Sequence, residues 1–254
     1  MDTLMGHGIA LNPLIPGRKE GSDRAEMVTQ LIFGELYSIL DEREKWLFIQ
    51  NDADGYQCWI DRKQHHALNE EEFNSLKGSS IQLSADLLGA TDGKLKMRIP
   101  FGSRINFKDS LKLNDLFRFS GKTATFQFNE VDSYSKLFLE APYLWGGKSI
   151  LGIDCSGYCQ VVFAACGISL PRDAYQQAEL GDTIEFIEES KTGDLAYFDN
   201  KDGKITHVGI LLNKEEIIHA SGKVRIDKID HQGIYNTELK TYTHKLRIIK
   251  RLNP

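Results

Sequence analysis

The sequence predicts an α+β protein, with a β-rich N-terminal half and a C-terminal half in which a short apolar helix precedes antiparallel strands. Three observations predict it. Short strand-like runs separated by turn signals at intervals of about 8–12 residues fill the N-terminal half, a spacing that suits small barrels. An apolar segment, Tyr158–Cys166, stops at Gly167 and reads as a buried helix with a glycine just past its end. Two apolar runs, Ile205–Leu212 and Glu216–Ala220, flank the turn-like pair Asn213-Lys214 and read as a hairpin.

Taken in order, Leu36–Leu40, Trp46–Gln50 and Tyr56–Ile60 are strands joined by turns at Asp41–Lys45 and Asn51–Gly55. Asn69 and Glu72 form the signature of a helix cap with its reciprocal partner. A second β-rich stretch runs from about Ile81 to Phe128, punctuated at Ala90–Lys94 and Pro100–Ser103. Asp132–Glu140 has the pattern of a capped amphipathic helix with Pro142 after its end. Lys245–Arg251 is a final strand. The resulting division is a first barrel over residues 1–78, a second over 79–130 and a catalytic domain over 131–254.

A hydrophobic content of 41% and a charged content of 26% are those of a globular protein. The net charge of −5 gives no reason to expect a nucleic acid partner. No run approaches the roughly 20 apolar residues of a membrane span, and Met1–Gly8 lacks a basic stretch followed by an apolar one. Three of the four cysteines crowd into one segment, Cys155, Cys159 and Cys166, with Cys58 far away. This is no disulfide framework, and a reducing, cytosolic setting is expected. Cys159 and Cys166 read as core on a helix face.

Cys155 lies at the start of the helix. Backbone dipoles there favour negative charge, so its thiol should ionise easily. A thiol nucleophile needs a base, and histidine is the usual one. In a hairpin centred on Asn213, His207 and His219 fall directly opposite each other, roughly 5 Å apart at Cβ, so one ring can orient the other. A slip of one residue would separate them. Cys155, His207 and His219 could also be three zinc ligands with an open fourth position. Arg172 and Asp173 read as a pair across their loop, and Trp145 as a packed side chain.

Five motifs, in order, resemble the NlpC-type cell-wall peptidases: Tyr143–Gly147, Gly152–Gly157, Gly193–Leu195, Thr206–Ile210 and Ile218–Gly222. The resemblance covers about the last 120 residues. It implies a papain-like cysteine peptidase domain with Cys155 as nucleophile, His207 as base, His219 as orienter and Tyr143 near the oxyanion site. It implies no cofactor and no metal. Ser22–Gln30, Phe33–Glu35 and Gly55–Ile60 resemble the paired bacterial Src-homology-3-like barrels of the subgroup that cleaves after γ-D-glutamate in free murein peptides. That likeness implies that Glu35 and Tyr56, with Asp154 and Ser156 beside the nucleophile, bind a small murein peptide by its free α-amine. It implies cytoplasmic recycling of such peptides, with neither nucleic acid nor membrane as partner. A same-fold amidase or acyltransferase and a non-catalytic muropeptide-binding module are the other classes open to this sequence.

Overall fold

The structure of the protein, a computed structural model, describes residues 5–78, 82–84, 88–91, 96–105, 117–120 and 122–253. It divides into two compact units, Met1–Ala124 and Thr125–Pro254.

In the first unit, strands β1 (Gly6–Ile9), β2 (Leu14–Arg18), β3 (Met27–Ile32), β4 (Leu36–Glu42), β5 (Trp46–Asn51), β6 (Gln57–Asp61) and β7 (His66–Leu68) form one antiparallel sheet. Their order is β3-β2-β6-β5-β4-β1-β7. Alternation drives it: Ile15, Leu31, Ile39, Leu47, Ile49, Cys58 and Ile60 turn inward to one apolar core. The β4–β5–β6 meander is the one read from the sequence. Helix α1 (Glu70–Gly78) follows, and its cap is the expected box. Asn69 Oδ1 accepts from the Glu72 backbone N–H at 2.8 Å, and Glu72 Oε2 accepts from the Asn69 N–H at 3.1 Å. Phe73 and Leu76 seat this helix on a second cluster with Ile9, Phe33, Leu36 and Ile99.

Strands β8 (Leu88–Thr91), β9 (Lys96–Ile99) and β10 (Arg118–Ser120) form a three-stranded antiparallel sheet in the order β10-β8-β9. Much of the expected second barrel, including residues 85–87, 92–95 and 106–116, lies outside the described residues.

The second unit opens with a 3-10 turn, Phe128–Glu130, and helix α2 (Val131–Lys136). The helix is shorter than the sequence pattern predicts. From Leu137 to Leu139 the backbone bonds tighten to i→i−3, and Glu140 takes a positive φ of 70°. Two short strands, β11 (Lys148–Ser149) and β12 (Gly152–Ile153), pair and lead into helix α3 (Cys155–Ala165). This helix ends as expected at Gly167, φ 87°. The Gly167 N–H donates to Ala164 O and the Ile168 N–H to Phe163 O, the paired bonds of a Schellman cap. A one-turn helix, α4 (Ala174–Gln177), follows.

The rest is sheet: β13 (Asp182–Ile184), β14 (Leu195–Asp199), β15 (Ile205–Asn213), β16 (Glu216–Ser221), β17 (Lys223–Asp230), β18 (Gly233–Asn236) and β19 (Thr241–Arg251). The long β19 pairs with β18 through its first half and with β14 through its second. Six strands, β14 to β19, therefore close on themselves around Ala196, Phe198, Leu211, Ile217, Ile229, Ile234 and Ile249. Helix α3 packs against β15 and β16. No helix among the described residues is long and apolar enough to cross a membrane.

Candidate active site

Asp154 sits at the turn from β12 into α3. Its side chain caps the helix by accepting from the Gly157 N–H at 2.7 Å. Its other oxygen accepts from the Gly146 N–H at 2.8 Å. Arg172 closes on both oxygens, at 3.1 and 2.5 Å, and donates to Ser156 Oγ at 2.8 Å. Arg172 and Asp154 are both buried. Arg172 gives its fork to Asp154, and Asp173 caps α4 in a box with Gln176. The reason is burial: a desolvated guanidinium needs a full carboxylate fork, and Asp154 supplies it.

The loop before the helix explains its own glycines. Tyr143 bridges to Ile153, and its N–H donates to Gly222 O. A Cβ on Gly147 would stand 2.3 Å from the Gly152 carbonyl oxygen, so only glycine permits this crossing. Trp145, expected to pack, is 58% exposed, because the turn at Gly146–Gly147 buries backbone and leaves the indole outside.

Cys155, the first residue of α3, is buried, and backbone N–H groups of Val208 and Ser156 point to its sulfur. Val208 is the neighbour of His207, so β15 meets the thiol at the place the sequence implied. The expectation of an easily ionised thiol is not met. Burial, with Asp154 adding to it, pushes the Cys155 pKa up to about 12, beyond what those two N–H groups and Arg172 offset. The resting thiol is neutral. Tyr143 is half-buried and remains a protonated donor, since burial and then the neighbouring Cys155 and Asp154 raise its pKa. Cys159 and Cys166 are buried on α3 as expected.

His207 and His219 meet: Nε2 of His207 lies 2.8 Å from Nδ1 of His219. They are not directly opposite. The register pairs Gly209 with His219, and a bulge follows Leu211. The shift of two residues keeps both rings on one face, and the rings touch on the diagonal. Gly209 makes this possible. A Cβ there would lie 2.8 Å from His219 Cβ and 2.7 Å from Ile217 Cδ1.

Three site residues were not read from the sequence. His219 Nε2 lies 3.1 Å from Oδ2 of the buried Asp227. Arg225 donates from Nη2 to Asp227 Oδ1 at 3.0 Å, with Nε 2.8 Å from Oδ2, and reaches the exposed Glu238 at 3.3 Å. Burial raises the Asp227 pKa, but the bonds from His219 and Arg225 outweigh it and hold the carboxyl below its ordinary range. His244 of β19 stacks on His207 with centroids 4.2 Å apart and planes at 25°. Lys223, Arg225 and Asp227 alternate with Val224 and Ile226, a pattern that reads as a solvated strand face. His244 lies one residue before the expected start of the final strand.

Burial, then His219 and His244, hold the His207 pKa well below its ordinary value, so the ring is neutral. Burial, then His219, lower His244 to about 4, against Asp227, which raises it. Among the described residues His207, His219 and His244 form one group with ring nitrogens within 4.8 Å, a set of metal-ligand types that does not include Cys155. The 2.8 Å bond and Asp227 already engage both nitrogens of His219, so the zinc reading loses one of its ligands to hydrogen bonding.

Glu35 and Tyr56 lie in the first unit. Glu35 is buried and accepts from the Ile32 N–H at 2.9 Å and Asn51 Nδ2 at 3.3 Å, closing the β3–β4 turn. The Tyr56 N–H donates to Asp54 Oδ1 at the next turn.

Residues 140–243 match the NlpC/P60 family. The second unit is an NlpC/P60 domain. Residues 17–64 match the bacterial dipeptidyl-peptidase Sh3 domain, so the chain carries an SH3-like β domain and an NlpC/P60 domain of papain-like fold. The chain is 29% identical over 219 residues to the gamma-D-glutamyl-L-lysine dipeptidyl-peptidase of Bacillus subtilis, covering 76% of this chain and 71% of that one. It is 26% identical over 251 residues to dipeptidyl-peptidase 6 of Lysinibacillus sphaericus, covering 85% and 90%. A solved NlpC/P60 family protein from Bacillus cereus superposes with a TM-score of 0.77 at 18% identity, over 98% of this chain and all of that one. The chain is a hydrolase of peptide bonds.

Proposed function

We propose that this NlpC/P60 peptidase cleaves the bond between γ-D-glutamate and the following diamino acid in small murein peptides with a free N-terminal L-alanine, releasing L-Ala-γ-D-Glu. The observation that carries the reading is the buried Cys155 at a helix start, met by the backbone N–H of Val208 next to His207, whose ring is hydrogen-bonded to His219. The names of the relatives support the substrate class.

In this reading His207 takes the Cys155 proton as the sulfur attacks the γ-carbonyl. A buried neutral thiol and a neutral imidazole suit a transfer concerted with attack, without a standing ion pair. The oxyanion takes one donor from the Cys155 backbone N–H at the start of α3 and one from the Tyr143 hydroxyl. The C–N bond breaks as His207 returns the proton to the leaving amine. Water, deprotonated by the same ring, then hydrolyses the thioester. His219 holds the His207 ring, and no cofactor takes part.

Selection of the free amine is assigned to Glu35, Tyr56, Asp154 and Ser156. Both Asp154 oxygens already serve the helix cap, Gly146 and Arg172, and Glu35 already closes the β3–β4 turn. The test is kcat/KM for L-Ala-γ-D-Glu-L-Lys and its N-acetyl derivative. The free peptide should be preferred by at least about tenfold, since a carboxylate left facing a neutral amide costs roughly 1–3 kcal/mol. Glu35→Gln keeps an acceptor for Ile32 and should narrow that preference. Equal rates on the two peptides in the native enzyme reject the gate. Cytoplasmic recycling is the proposed setting, and activity confined to the exported fraction of cells would reject it.

A further inference from the structure

We infer that Asp227, with Arg225 behind it, is a positioning residue that fixes the protonation pattern of both histidines and so makes His207 a base toward Cys155. The inference rests on the cysteine peptidase reading above and deepens it. A carboxylate only accepts hydrogen bonds. Asp227 is buried and lies 3.1 Å from His219 Nε2, so that nitrogen carries its hydrogen. A neutral imidazole has one N–H, which leaves His219 Nδ1 as an acceptor. It lies 2.8 Å from His207 Nε2, so the His207 hydrogen sits there. Nδ1 of His207 is left with its lone pair. One buried charge thus dictates, across two rings, which nitrogen can receive the thiol proton. Arg225 keeps Asp227 ionised and aims it: Nη2 donates to Oδ1, while Nε, 2.8 Å from Oδ2, makes no hydrogen bond among the described residues and leaves that oxygen's bond to His219.

This ordering predicts a specific failure. In Asp227→Asn the amide oxygen takes the Oδ1 place opposite the donor-only Arg225, and the amide NH2 turns to His219 Nε2. Both histidines then shift their hydrogens by one nitrogen. His207 Nδ1 becomes an N–H and cannot accept from Cys155. Replacing Arg225 as well, in Arg225→Met/Asp227→Asn, frees the amide to turn its oxygen to His219 and restores the order. Mere structural support predicts the opposite, because the double variant also loses the Glu238 contact.

The experiment measures three quantities on the whole chain: kcat/KM on the peptide, the rate of Cys155 alkylation by iodoacetamide, and ¹⁵N shifts of labelled histidines. Asp227→Asn should lose at least a hundredfold in kcat/KM and at least tenfold in alkylation, with His207 Nδ1 moving from the bare to the protonated position. The double variant should recover at least tenfold over the single one. An Asp227→Asn enzyme within threefold of native, or a double variant no better than the single, overturns the inference. So does a protonated His207 Nδ1 in the native protein, which needs no variant to fold. Alkylation and ¹⁵N shifts do not depend on the substrate, so they distinguish a wrong peptide from a wrong relay.

Discussion

Gly209 shows how much of this site depends on one missing atom. His207 and His219 were legible in the sequence as partners, yet by the wrong register. The hairpin centred on Asn213 places them directly opposite, whereas the turn falls at Lys214–Glu215 with Asn213 opposite Glu216, and the bulge after Leu211 takes back one residue, leaving them two residues apart on one face. A period-2 pattern cannot distinguish shifts of two, so the shared face was readable and the diagonal was not. Gly209→Ala should destabilise the protein by about 1–3 kcal/mol, because a methyl group there overpacks against Ile217 and His219. It should also lower kcat more than it raises KM. Denaturant unfolding and steady-state kinetics check both. Cys155→Ala should remove more than about a thousandfold of turnover while shifting stability by only about 1 kcal/mol. Peptide binding by calorimetry should survive; a variant with measurable turnover contradicts the nucleophile. Arg172→Met should be the more damaging structural change. It strands the buried Asp154 carboxylate, at a cost of about 3 kcal/mol or more.

At the scale of elements, the sequence reading succeeded where local chemistry decides. The Asn69–Glu72 box, the meander of β4 to β6 and the stop of α3 at Gly167 all follow from contacts within a few residues. It failed where distant chain decides. Arg172 gives its fork to Asp154, and α2 ended early at Lys136. Asp227 and His244 come from strands whose alternation disguises inward polar groups. The Schellman cap offers a clean test. Gly167 has φ 87°, so Gly167→Ala should cost about 1–2 kcal/mol through backbone strain alone. Its added Cβ stays at least 3.6 Å from its neighbours. Activity per folded molecule should be unchanged, since the far end of α3 bears no reacting group.

For the molecule as a whole, stability should fall with pH in two windows. His207 and His244 have folded pKa values below their unfolded value of about 6.5. The unfolded chain therefore binds protons first. Their contribution is complete above pH 6.5 and is lost as pH falls toward about 4, where His244 titrates in the fold. Asp227 is also depressed, so its contribution is present above its unfolded value of about 3.9 and is lost at lower pH still. Calorimetry from pH 8 to 3 should show a falling Tm, with the first decline reduced in His244→Gln. Closure by β19 carries a further consequence. The strand that seals the barrel and brings His244 onto His207 is Thr241–Arg251, which must find partners some 50 residues and more upstream. One strand thus serves as both seal and wall of the site, so a cut ahead of Thr241 would open the barrel and strip His244 from His207 in a single event.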